Sequence, residues 1–198
     1  MMGRKSTDAY EYALGLREVE TYISDVFEAE FSIVTGRTVE ILLSAGTGES
    51  PDRVALIDGV ETGVELTAIH GGSAHEIIAE VLRIAHRKRE SYSRRGIFET
   101  RPIILLGHLD WPARDVEGPA LYDVYEELAK LFDPDDFGDG FSEIWLMDCS
   151  SKYTSRRDPR MPADFFCFAP TENIGFWEGG DGGRKRRPYW GLIRDFLT

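Results

Sequence analysis

Asp52 and Glu65 stand 13 positions apart, one on each side of the turn signal Asp58-Gly59. A hairpin folded at that turn brings Asp52, at the mouth of one strand, close to Glu65 within the other. Two carboxylates at the rim of a sheet suit Mg2+ or Mn2+, hard ions that keep several waters when one or two carboxylates bind them. A water whose pKa such an ion lowers can attack a phosphodiester. The competing account is plain turn chemistry for an Asp that follows Pro51, and a solvent-facing Glu in a strand. Other chemistries lack their residues: the chain has no Gly-x-Ser-x-Gly, no P-loop and no Gly-x-Gly-x-x-Gly after a strand. His70 and His75 lie beside Gly71-Gly72 and His86 lies further on, none with a partner at ligand spacing. Gly107-His108-Leu109-Asp110-Trp111 follows a short apolar strand, a place where a polar cluster can bind substrate or metal, although a His beside a loop is more often a surface residue.

The elements that must position these residues are legible from periodicity. Tyr12, Leu16, Val19, Ile23, Val26 and Phe27 recur at helical spacing, which predicts a helix capped at Thr7 or Asp8 and ending near Gly36. Apolar and β-branched residues predict strands over Thr38 to Leu43, Arg53 to Ile57 and Gly63 to Ile69, the last two a hairpin. Ser73, with Glu76 three residues on, predicts a capped helix running to about Arg94 or Arg95. Pro102 to Gly107 reads as a strand, Leu121 to Phe132 as a helix, and Glu143 to Asp148 and Asp164 to Ala169 as strands. Trp111 to Pro119, Asp133 to Gly140, Ser150 to Pro162 and Glu178 to Pro188 read as long loops. The order through Gly107 is α-β-β-β-α-β, a central mixed sheet flanked by helices in an α/β fold.

Pro51-Asp52, a hairpin, and then Gly63-Val64-Glu65-Leu66-Thr67 within that order resemble the PD-(D/E)XK nuclease superfamily, the restriction-endonuclease-like fold. The resemblance covers about residues 8 to 110. It implies that Asp52 and Glu65 bind a divalent metal, and that a Lys two residues after the Glu positions or activates the attacking water. Thr67 occupies that place here, and threonine cannot set a positive charge against phosphate. Some branches of the superfamily carry the basic residue on the following helix. At 100° per residue, Ile77, Val81, Ile84 and Ala85 define an apolar stripe that includes Lys88, whereas Arg83, Arg87 and Arg94 project to the other side. Lys88 is therefore the candidate migrated lysine, with Arg89 in reserve, and snorkelling core packing is the competing account. The superfamily often adds an acid from the first helix as a further metal ligand. Of the three offered, Glu18 points away from the stripe, Glu30 lies on it near the helix end, and Glu20 at its edge is favoured.

Charge and composition bound the rest. With 198 residues, 42% hydrophobic and 29% charged, the chain reads as one domain over 1–198: a core at about 8–110, an additional helix and strands at 120–170, and a C-terminal extension at 171–198. Disordered, collagen-like and disulfide-stapled classes are excluded. No apolar run approaches the roughly 20 residues of a bilayer span and the N-terminus lacks a signal-like stretch, so the expected location is cytoplasmic, with no membrane partner. Cys149 and Cys167 then read as small core residues. A net charge of −12 argues against coating nucleic acid through overall charge. Its distribution is uneven: six basic residues lie between Arg83 and Arg95 against one acid, Glu90, a second basic run spans Arg184 to Arg187, and acids cluster from Asp123 to Asp139. The reading that follows is a Mg2+- or Mn2+-dependent nuclease: Asp52, Glu65 and Glu20 at the metal, Lys88 beside the developing charge, and Arg87, Arg89 and Arg94 facing the nucleic-acid backbone. A homodimer is the default oligomer. The alternative is the same fold with catalysis lost, serving as a nucleic-acid or protein binding module, which Thr67 and the net charge favour. An acidic mimic of nucleic acid would instead need Asp123 to Asp139 on one surface.

Overall fold

The structure, a computed structural model, describes residues 5–44, 51–70, 73–109, 140–148, 164–170, 175–177 and 186–188. Its elements in chain order are α1 (Lys5–Thr35), β1 (Val39–Ser44), β2 (Arg53–Ile57), β3 (Val60–Ile69), α2 (Ala74–Arg94), β4 (Ile103–Leu109), β5 (Glu143–Asp148), β6 (Asp164–Ala169), β7 (Gly175–Trp177) and β8 (Arg186–Pro188). Among the described residues the strands join one sheet in chain order, six of them of five residues or more and the last two only three residues long. β3, β4 and β5 run parallel and the remaining neighbours pair antiparallel, which makes the sheet mixed. The first six elements follow the expected α-β-β-β-α-β order.

The parallel centre explains the apolar run Ile103-Ile104-Leu105-Leu106. Strands covered on both faces bury every residue, and β4 is buried from end to end. Successive side chains alternate between two cores. Ile104, Leu106, Val64 and Leu66 pack with Val26, Phe27 and Phe31 of α1. Leu105, Leu109 and Ile69 pack with Ile77, Val81 and Ile84 of α2 on the other face. Each such side chain contributes roughly 1.5–3 kcal/mol on full burial.

Helix α2 starts as its sequence predicts, with the Ser73 hydroxyl accepting from the Glu76 N–H. Helix α1 begins at Lys5, so Thr7 and Asp8 lie inside it rather than capping it; nothing in Lys5-Ser6 breaks a helix. β3 begins at Val60, three residues earlier than periodicity places it. Asp58 (φ 52°) and Gly59 (φ 80°) are both left-handed, so the turn spends only two residues and Ile57 pairs directly with Val60. β4 continues to Leu109, so His108 is a strand residue, 8% exposed, and not part of a loop. Its register with Ala68 and Met147 on both neighbouring strands carries the ladder past Gly107. β7 and β8 were not foreshadowed, and Arg186–Pro188 corrects the reading of Glu178 to Pro188 as loop throughout. Three-residue strands carry no measurable period. The helix expected over Leu121 to Phe132, the acids from Asp123 to Asp139, Cys149, and most of the C-terminal extension lie outside the described residues. Cys167 is buried in the core, as expected.

Candidate functional site

Glu65 lies midway along β3 on the α2 face, 1% exposed. In the β2–β3 ladder Arg53 pairs with Val64, so Asp52, one residue earlier, stands opposite Glu65. The Leu66 N–H donates to Asp52 Oδ2 at 2.9 Å, fixing the carboxylate to the strand that carries Glu65. Gly63 permits this approach. A Cβ there would lie 2.6 Å from Pro51 Cγ and 2.6 Å from Ile103 Cδ1, so only glycine lets buried Pro51 seat on β3 and hand Asp52 to its neighbour.

Lys88 lies on the sheet-facing side of α2, as the 100° projection predicts, and its Nζ donates to Glu65 Oε1. The Tyr92 hydroxyl, one turn on, donates to Glu65 Oε2. A carboxylate buried in the sheet is thereby held by one cation and one neutral donor, which meets the requirement that a buried charge be paired and hydrogen-bonded. Burial pushes the Asp52 carboxyl up to about 6 from an ordinary 3.8, and the negative charges of Glu65 and Glu20 add to the effect. The Leu66 N–H and the Lys88 ammonium act in the opposite sense without cancelling it. Asp52, Glu65, Glu20 and Lys88 thus share one electrostatic neighbourhood, in which burial rather than a shortage of cations is the larger influence on Asp52.

Glu20 reaches this neighbourhood from α1. Arg53, 8% exposed, donates from Nη1 to the Asp52 carbonyl at 2.8 Å and from Nε to Ser24 Oγ at 3.0 Å. The same Nη1 lies 3.9 Å from Glu20 Oε2, and the Ser24 hydroxyl donates to the Glu20 carbonyl at 2.7 Å. Arg53 therefore ties the helix bearing Glu20 to the residue bearing Asp52. Glu30 is buried farther along α1, and the Glu18 side chain lies outside the described residues.

Thr67 follows Glu65 on the same face of β3 and is half-buried, and the Lys88 ammonium reaches Glu65 from the helix. Arg87 and Arg94 are exposed, as their projection predicts, and Arg89 is half-buried. Arg89 Nη2 donates to His86 Nδ1 at 2.9 Å, and Arg94 Nε to the Glu90 carbonyl at 3.2 Å. Arg89, Glu90, Ser93 and Arg94 line an open cavity of about 550 Å³.

Tyr92 and Arg53 are the site residues that the sequence reading missed. Tyr92 sits four positions after Lys88 on the same stripe, but an aromatic on an apolar stripe reads as core. Arg53 alternates with the buried Ala55 and Ile57, a place where an arginine needs partners. Among the described residues no group of three or more His, Cys, Asp or Glu is arranged to hold a metal ion. Asp52 and Glu65 are two hard oxygen donors brought close together, a type of pair that suits an ion keeping most of its waters. No protein-family model, curated protein or solved structure matches this chain.

Proposed function

We propose that this chain is a metal-dependent phosphodiesterase, a nuclease, built on a restriction-endonuclease-like core. The observation that carries the reading is the convergence of Asp52, just before β2, Glu65 of β3 and Lys88 of α2 on one partly buried point. Asp52 and Glu65 would hold Mg2+ or Mn2+, with Glu20 adding negative charge from α1. A hard divalent ion, when bound, supplies charge at the phosphate oxygens and acidifies water. Lys88 sets its ammonium beside the carboxylate pair, where a phosphate approaching the site meets a positive charge already in place. Leu66 N–H, through the carboxylate, and Arg53, through the carbonyl, hold Asp52 in place. Arg87 and Arg94, exposed on the outer side of the same helix, and half-buried Arg89 on its other flank would give the nucleic-acid backbone basic contacts despite the net charge of −12.

The test is Mg2+ and Mn2+ calorimetry on the chain beside Asp52→Ala and Glu65→Ala, followed by DNA and RNA cleavage assays. The reading expects saturable binding at about one or two sites that both variants lose. It also expects cleavage abolished in Lys88→Ala and partly restored by adding Thr67→Lys, which returns an ammonium to the same face of β3. Absent binding would overturn it. One observation favours a second reading, a catalytically silent binding module: both Glu65 oxygens already have donors, an arrangement that also serves as a structural ion pair. That reading expects nucleic-acid or protein binding unchanged by EDTA and by Asp52→Ala.

A further inference from the structure

We infer that Tyr92 is the positioning residue for Glu65, fixing which edge of that carboxylate faces the site; the inference rests on the reading of Glu65 as a metal ligand. The geometry separates Tyr92 from the groups that would meet a substrate. Its side chain is 1% exposed, so the phenol has no route to solvent or to a phosphate. Its hydroxyl is spent on Glu65 Oε2. Its ring is held by two others: Phe98 at 5.5 Å and Phe141 at 6.0 Å between centroids, these two meeting edge to face at 5.2 Å. Gly140 backs Phe98 in turn, since a Cβ there would come to 3.0 Å from the Phe98 ring, and its φ of 131° excludes most side chains. A buried phenol packed against two rings presents its hydroxyl at one point, Glu65 Oε2.

That point matters because Lys88 alone cannot orient the carboxylate. An ammonium on a flexible four-carbon stem acts as a point charge and follows Glu65 through rotation about its last torsion. A second donor on the other oxygen removes that freedom. A carboxylate offers about four lone-pair positions, so one bond to each oxygen leaves one position on each for an ion without breaking either bond. Tyr92 thus does for Glu65 what outer hydrogen-bond partners do for metal ligands generally: it sets direction before the ion arrives.

The experiment compares the whole chain with Tyr92→Phe, which keeps the ring, and with Phe98→Leu, which keeps the hydroxyl and loosens the ring. In the metal-free protein the readout is the side-chain ammonium resonance of Lys88 by nitrogen-15 NMR. With Tyr92 as positioning residue, the resonance broadens and exchanges faster in Tyr92→Phe and changes less in Phe98→Leu. In the metal arm, Tyr92→Phe weakens Mn2+ binding by about 10- to 100-fold. An unaltered Lys88 resonance in Tyr92→Phe overturns the inference, as does unchanged Mn2+ affinity beside a lowered melting temperature. If the unmodified chain binds no Mn2+ while the Lys88 resonance still responds, the nuclease reading fails and the orientation of Glu65 by Tyr92 stands.

Discussion

Asp52 carries the most informative charge in the molecule. Its folded pKa of about 6 lies above the ordinary 3.8, so ionising it opposes folding. The stabilisation it gives is complete below the unfolded value and is lost as pH rises through the folded one. The metal-free chain should therefore gain stability from this group on acidification from pH 7 to 5. Asp52→Asn, whose amide oxygen can still accept from Leu66 N–H, should raise the melting temperature at pH 7.5 and flatten that part of the pH profile. Thermal unfolding of both proteins across this range checks it, and parallel profiles would count against the assigned environment. An ion held as proposed would reverse the preference. Because the ligand must be deprotonated, Mn2+ affinity should fall as the pH drops below about 6. The placement of Asp52, Glu65 and Lys88 was legible, from a hairpin that joins the first two and a 100° projection that turns the third toward the sheet, while their roles come from the resemblance alone. Tyr92 was not, since a buried tyrosine and a buried phenylalanine look alike until the partner of the hydroxyl is known.

At the scale of elements, the site depends on how closely β2 approaches β3. Gly63→Ala would force a Cβ to within 2.6 Å of both Pro51 and Ile103. We expect a loss of about 1–3 kcal/mol in urea unfolding. Because Pro51 precedes Asp52, we also expect divalent-ion binding to weaken. A variant that loses stability with ion affinity intact would mean that the Pro51 contact does not position Asp52. The strands over 53–57, 143–148 and 164–169 lie where apolar runs bounded by turn formers placed them, since such runs leave few alternatives. The early start of β3 and the late end of β4 could not. Both depend on neighbouring strands supplying hydrogen bonds, a tertiary matter that overrides local pattern.

The whole molecule is braced far from the site by Arg37. Its guanidinium donates to Asp58 Oδ2 at 2.9 Å and to Glu143 Oε1 at 2.6 Å, and its carbon lies 5.8 Å from the Phe31 ring centroid. Glu143 also accepts from Trp145 Nε1 at 2.6 Å. One side chain thus joins the end of α1, the β2–β3 turn and the start of β5. Arg37→Ala should cost about 1–3 kcal/mol by leaving Glu143 short of a partner, with Mn2+ affinity unchanged. Denaturant unfolding and calorimetry separate the two effects; a loss of ion binding would show that the brace and the site are coupled. Charge acts on the same scale. If α2 presents its basic face to a duplex, the slope of log K against log salt should shrink by about 0.9 for each of Arg87, Arg89 and Arg94 that contacts phosphate and is replaced by Ala. An unaltered slope would remove these residues from the interface. Among the described residues no helix is long and apolar enough to cross a membrane.

The amino-acid sequence by itself determined the α/β class, the order of the first six elements and the approach of Asp52 to Glu65 across a hairpin turned at Asp58-Gly59. These are local: period, turn chemistry and spacing act within a hairpin or along one helix. Only the tertiary structure decided that Lys88 and Tyr92 both reach Glu65, that Arg53 draws Glu20 toward Asp52, and that Gly63 clears the space for Pro51. Each of these is a distance between elements set by side chains interlocking across a packed core, and no periodicity within a single segment encodes such a distance.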